Sequence, residues 1–135
     1  MRFLIIVKAT AESEAGVVPP PALLAEMAAF HEELARAGAM LDGARLQPSA
    51  AGWRIAYDGE RRRVIDGPFA ESRELVAGYT LIQARSRDEA LAWTRRFPNP
   101  RGQGLPAVIE VRPLLELDDV PPDTVERFRR IGLGS

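Results

Sequence analysis

The sequence predicts an α+β domain with the ferredoxin-like split β-α-β order and an extra hairpin. Three observations carry that reading. Segments 3–7 and 75–84 are apolar on both faces, stretches 21–37 and 86–97 place apolar residues at helical spacing, and Asp58-Gly59 divides two short extended runs. A chain of 135 residues fits one domain, and 46% hydrophobic with 27% charged residues is a globular composition rather than a disordered one.

Residues 3–7 carry β-branched and aromatic side chains on both faces, the pattern of a central strand. A polar, proline-rich stretch at 12–21 leads into a helix over 21–37, where Leu23, Met27, Phe30 and Leu34 form one stripe and Gly38 is the stop. Extended segments follow near 40–46, 53–57 and 63–65, with turns at 47–52 and at Asp58-Gly59. A longer strand spans 75–84. Ser86 opens the second helix, with Asp88 and Glu89 in its first turn, and Pro98 and Pro100 end it. The last strand covers 107–115. Residues 116–135 then read as a linker and a short amphipathic helix capped by Thr124, striped by Val125, Phe128 and Ile131 and stopped by Gly132.

Two helices on one face of such a sheet leave the other face bare. Because both faces of both long strands are apolar, a second copy of the chain is expected to cover it, giving a homodimer.

Composition excludes several functions. Eighteen basic and nineteen acidic residues give a formal charge of -1, unlike the basic footprint of a nucleic-acid binder. The run Arg61-Arg62-Arg63 reads as a solvated hairpin edge. Without cysteine there is no disulfide or thiolate chemistry, and the cytoplasm is the expected compartment. The apolar run at the N-terminus is cut by Lys8, too early for a signal peptide, and no stretch approaches the roughly 20 apolar residues of a membrane span. One histidine and no cysteine argue against zinc, and Gly102-Gln103-Gly104 lacks the strand-turn-helix context of a nucleotide loop, so no metal and no cofactor is expected.

Residues 64–79, V-I-D-G-P-F-A-E-S-R-E-L-V-A-G-Y, resemble the signature of the YCII-related family in its DGPF-type branch. The first strand, Ala37-Gly38, Leu46-Gln47-Pro48-Ser49 and Ile109-Glu110-Val111-Arg112-Pro113-Leu114 agree with it, so the resemblance runs over about residues 2–115. It implies a dimeric α+β barrel spanning 1–115 and no established activity. Some DGPF-type members stand beside, or are fused to, sigma factors, which implies a sigma-factor-associated accessory role as one alternative. Smaller relatives set a helix histidine against an aspartate, and one removes chloride from a muconolactone-like substrate. His31 matches that histidine in placement, whereas Phe97-Pro98-Asn99-Pro100 has no counterpart of the aspartate.

From the residues themselves, His31 lies at the border of the helix stripe, where an imidazole can move a proton or be satisfied by a backbone carbonyl. Asp66 precedes a stiff Gly67-Pro68-Phe69 turn in which Phe69 is a candidate plug, and its carboxylate can either cap the loop or orient His31. In an extended segment Asp42 shares a strand face with Met40 and Ala44, so as a candidate ligand-binding carboxylate it can point towards the helix or equally stand at an edge in solvent. Tyr79 and Arg112 are candidate ligand-binding residues, the arginine as a grip on a carboxylate. The leading expectation is a module that binds a small, partly apolar molecule. Its rival is a lyase or isomerase acting on a small carboxylate or lactone through His31 and Asp66.

Overall fold

In the computed structural model, which describes residues 1–133, β1 (Arg2–Lys8) leads through a one-turn helix α1 (Ala11–Glu14) to the long helix α2 (Pro21–Arg36). Strand β2 (Met40–Arg45) follows, then the hairpin β3 (Trp53–Asp58) and β4 (Arg61–Asp66). Strand β5 (Val76–Gln83), helix α3 (Arg87–Arg95), strand β6 (Ile109–Pro113) and helix α4 (Pro122–Arg130) complete the order. The main sheet runs β2-β5-β1-β6 with every neighbouring pair antiparallel, which is the split β-α-β arrangement. The hairpin forms a second, two-stranded sheet and packs mainly on itself.

Local chemistry explains the boundaries. Pro21 occupies the first turn of α2, where its missing N–H costs no hydrogen bond, and Gly38, at φ 72°, ends the helix. The Ser86 hydroxyl accepts the Glu89 N–H at 3.1 Å and starts α3. Two details differ from the sequence reading. Helix α1 interrupts the proline-rich lead-in because Thr10 and Ser13 form a reciprocal capping box. Helix α4 begins at Pro122, so Thr124 lies inside the first turn rather than at the cap. The prolines at 121 and 122 set the helical entry instead.

Helices α2 and α3 cover one face of the sheet. Phe3, Ile5 and Ile82 point into that layer and meet Phe30, Leu34 and Ala90, with Trp93, Phe97 and Val111 packed around them. Register sorts the strands: Ile5 stands between Thr80 and Val111 on the helix face, whereas Leu4 stands between Leu81 and Arg112 on the other. Leu4, Ile6 and Leu81 on that far face are half-buried within one chain. No helix among the described residues is long and apolar enough to cross a membrane.

Candidate functional site

A cavity of about 720 Å³ opens between α2, the helix face of the sheet and the segment after α3. Two glycines on neighbouring strands border it. Gly43 on β2 and Gly78 on β5 both border the cavity, and a Cβ on Gly78 would stand 3.0 Å from the Ala44 carbonyl oxygen. At Gly78 the missing side chain lets β2 and β5 approach closely, and at Gly43 the Met40 side chain takes the place a Cβ would have. The walls come from Leu23, Leu24 and Met27 of α2 and from Phe97. Val17 and Val18 before α2 and Leu105 and Val108 after α3 also border it and are 56%, 73%, 49% and 70% exposed, so part of its apolar border is in contact with water.

His31 borders this cavity, and both of its ring nitrogens are engaged. The Met27 carbonyl can only accept, so Nδ1 carries a proton and donates to it at 2.7 Å. In the neutral ring Nε2 therefore accepts the hydroxyl of buried Thr80, 2.8 Å away across the helix–sheet gap. The ring also stands edge-on to Phe30 and Phe97, with centroids 5.6 Å and 6.0 Å away. A backbone carbonyl and a core threonine thus fix its tautomer and orientation, with no carboxylate in that shell.

The other sequence candidates gather elsewhere. A β-bulge between Met40 and Asp42 shifts the alternation: Met40 pairs with Ile82 on the helix face, but Asp42 pairs with Leu81 on the far face. Asp42 therefore points away from the helix and is exposed, the second of the two placements open to it from the sequence. There it accepts the Tyr79 hydroxyl at 3.2 Å, a bond that raises the phenol above its ordinary pKa. Tyr79 borders the cavity, yet its side chain leaves β5 on the face opposite to Thr80. Arg112 also lies on the far face, where it is exposed and bridges Glu110 at 3.2 Å. Glu110, which Lys8 joins at 3.4 Å, is held below the ordinary carboxylate range by these two cations.

The Asp66-Gly67-Pro68-Phe69 turn closes on a different partner, the Ser49 turn. Asp66 is exposed at the end of β4 and borders no part of the cavity. The loop is held not by an Asp66 cap but by Ser49, whose hydroxyl accepts the Phe69 N–H at 3.0 Å and donates to Glu14. Glu14 also accepts the Ser49 N–H at 2.9 Å, which ties α1 to both turns. Gly67 is required by contact alone, because a Cβ there would fall 1.8 Å from the Ser49 carbonyl oxygen. Phe69 is half-buried rather than a buried plug, and the Arg54 guanidinium covers its ring at 3.8 Å.

The fold and its helix-side cavity define a small α+β module with a preformed pocket. Residues 1–116 match the YCII-related domain, and the chain belongs to that family. An uncharacterized protein of Rhizobium meliloti (strain 1021) is 34% identical over 92 residues, covering 68% of this chain and 73% of that protein. Among solved structures, 5-chloro-2-hydroxyhydroquinone dehydrochlorinase from Burkholderia phenoliruptrix AC1100, in complex with 2,5-dihydroxybenzoquinone, aligns at 17% identity and a TM-score of 0.43. That alignment spans 86% of this chain and 95% of the dehydrochlorinase, a likeness too remote to carry chemistry between them.

Proposed function

We propose that this YCII-related chain binds a small, partly apolar molecule in the cavity beside His31 and works as a homodimer. The observation that carries the reading is the apolar border in contact with water. Val17, Val18, Leu105 and Val108 stay wet beside one cavity, and a space of about 720 Å³ lies within the range of small-molecule pockets. Support for the dimer comes from the far sheet face. Leu4, Ile6 and Leu81 form an apolar centre there, flanked by Asp42 with Tyr79 on one side and by Lys8, Glu110 and Arg112 on the other. An apolar centre with a polar rim is the anatomy of a protein interface.

The lyase or isomerase alternative has less support. It asks His31, Asp66 and Arg112 to share one space, and His31 alone of the three borders the cavity, with both nitrogens already bonded. A thermal-shift screen of small metabolites against the wild type and Ala28→Trp, which fills the cavity from α2, tests the binding reading. The expected hits stabilise the wild type and not the variant. Hits that stabilise both equally, or no hits at all, would overturn it.

A further inference from the structure

The charged groups around the cavity are few and unevenly matched. Lys8, Glu12, Arg45 and Arg101 are the charged residues that border it. Lys8 is already bridged to Glu110 at 3.4 Å. Thr10 and Ser13 spend their hydroxyls on the capping box of α1. Among the described residues, Arg45 and Arg101 stand in no salt bridge.

The two arginines come to the cavity from different elements. Arg45 pairs with Gly78 and alternates with Ala44, so its side chain shares the helix face with Gly43 and Thr80, and it borders the cavity. Arg101, in the segment after α3, also borders the cavity, and one of its nitrogens, Nη1, donates to the Pro106 carbonyl at 3.0 Å. The loop that carries it is cross-braced: the Asn99 side chain accepts the Arg101 N–H at 2.9 Å and donates to the Leu105 carbonyl at 2.8 Å. Bonding to a neutral carbonyl fixes the guanidinium without cancelling its charge. Glu12, the one acid on the rim, offsets part of it and is itself held below the ordinary carboxylate range by its own backbone N–H, by Thr10 and by Arg101.

We infer that the cavity takes an amphipathic anion, a compact apolar body carrying one acidic group, with Arg45 and Arg101 as the two head-group contacts. The apolar body lies against Leu23, Leu24 and Met27, while the head group remains at the mouth between the arginines. A guanidinium is suited to that role because it offers several N–H donors in a plane and stays charged at every physiological pH. Arg112, the arginine that the sequence suggests for gripping an acid, lies on the other face of the sheet and bridges Glu110.

This inference rests on the cavity reading, and its test separates the two. Two fluorescent probes are compared, anilinonaphthalene sulfonate and its uncharged parent phenylnaphthylamine, which differ by the acidic group alone. The quantity read is the ratio of their affinities in wild type, in the double variant Arg45→Gln/Arg101→Gln and in Ala28→Trp, each checked for native circular dichroism. The wild type is expected to prefer the sulfonate, and the double variant to lose that preference by about tenfold, the order of two solvent-facing ion pairs. The preference should also shrink as salt is raised, because the contacts lie at the mouth. Ala28→Trp should abolish binding of both probes. An affinity ratio unchanged by the double substitution overturns the anion assignment and leaves the cavity reading standing, provided that Ala28→Trp still excludes the neutral probe. If neither probe binds the wild type, or if Ala28→Trp binds both as well as the wild type does, the cavity reading fails and the anion assignment with it.

Discussion

The Thr80 hydroxyl and the His31 imidazole meet at 2.8 Å and join the long helix to a central strand at the wall of the cavity. Because the Met27 carbonyl holds the proton on Nδ1, this second bond is what satisfies Nε2. Thr80→Val keeps the shape of the side chain and removes the hydroxyl. It should cost about 1–2 kcal/mol, the penalty for a half-buried nitrogen left without a partner. Urea unfolding measures it, with Thr80→Ser as the control that restores the bond. A loss in Thr80→Val no larger than in the serine control would show that water replaces the hydroxyl and that the ring is not anchored by the strand.

Gly67→Ala should destabilise the chain by about 2–3 kcal/mol, since the new methyl cannot coexist with the Ser49 carbonyl and one turn must move off the other. Phe69→Ala should cost less than a fully buried phenylalanine would, about 1–2 kcal/mol, because the ring is half-buried under Arg54. Both are read from chemical denaturation. A larger loss for Phe69→Ala than for Gly67→Ala would reverse the order of importance given to the two residues.

In solution the chain should scatter light as a dimer at micromolar concentration. Leu81→Glu, on the far sheet face, should shift it to monomer, because a carboxylate would be placed within an apolar centre. Leu24→Glu, at the cavity wall on the other side of the sheet, should leave the dimer intact. A wild-type monomer under these conditions would sink the dimer reading.

Stability should fall on acidification, partly through Glu116. Its carboxylate takes the Arg2 guanidinium at 3.1 Å and the Arg2 backbone N–H at 3.3 Å, and these bonds hold its pKa below the ordinary 4.5. A lowered folded-state pKa means that the unfolded chain binds more protons in this window. The contribution is therefore complete above the unfolded pKa and disappears as pH falls through the folded one. The pair is partly solvent-exposed, so the effect should stay below about 1 kcal/mol. Melting curves from neutral to acid pH should show a shallower acid limb in Glu116→Gln, and an identical limb would mean that the bond does not form in solution.

The order of strands and helices was legible because it follows from periodicity and punctuation. The continuous apolar run at 3–7, the Leu23 to Leu34 stripe, the Gly38 stop and the Ser86 cap act locally and need no knowledge of the fold. What the sequence concealed depends on contacts between distant segments. Gly43 and Gly78 both border the pocket, and nothing local says that two glycines 35 residues apart lie on neighbouring strands. Asp42 is displaced to the far face by a bulge, which no alternation pattern announces. Gly67 reads as a turn residue, whereas its constraint is the Ser49 carbonyl on another loop. Arg45 and Arg101 look like ordinary surface arginines until the fold brings both to the border of one cavity.

The separate hairpin has a practical consequence for following this molecule by its own light. Trp93 stands edge-on to Phe30 in the helix layer with the Arg96 guanidinium above it, while Trp53, on the hairpin, is 65% exposed. The two indoles therefore sit in unlike environments, one wet and one shielded, and a dissolved quencher should separate their emission into an accessible and a protected part. Trp53→Phe isolates the signal of the core beside the cavity, and Trp93→Phe isolates that of the hairpin. The chain thus carries a built-in pair of reporters, one for events in the helix layer and one for events on the arm.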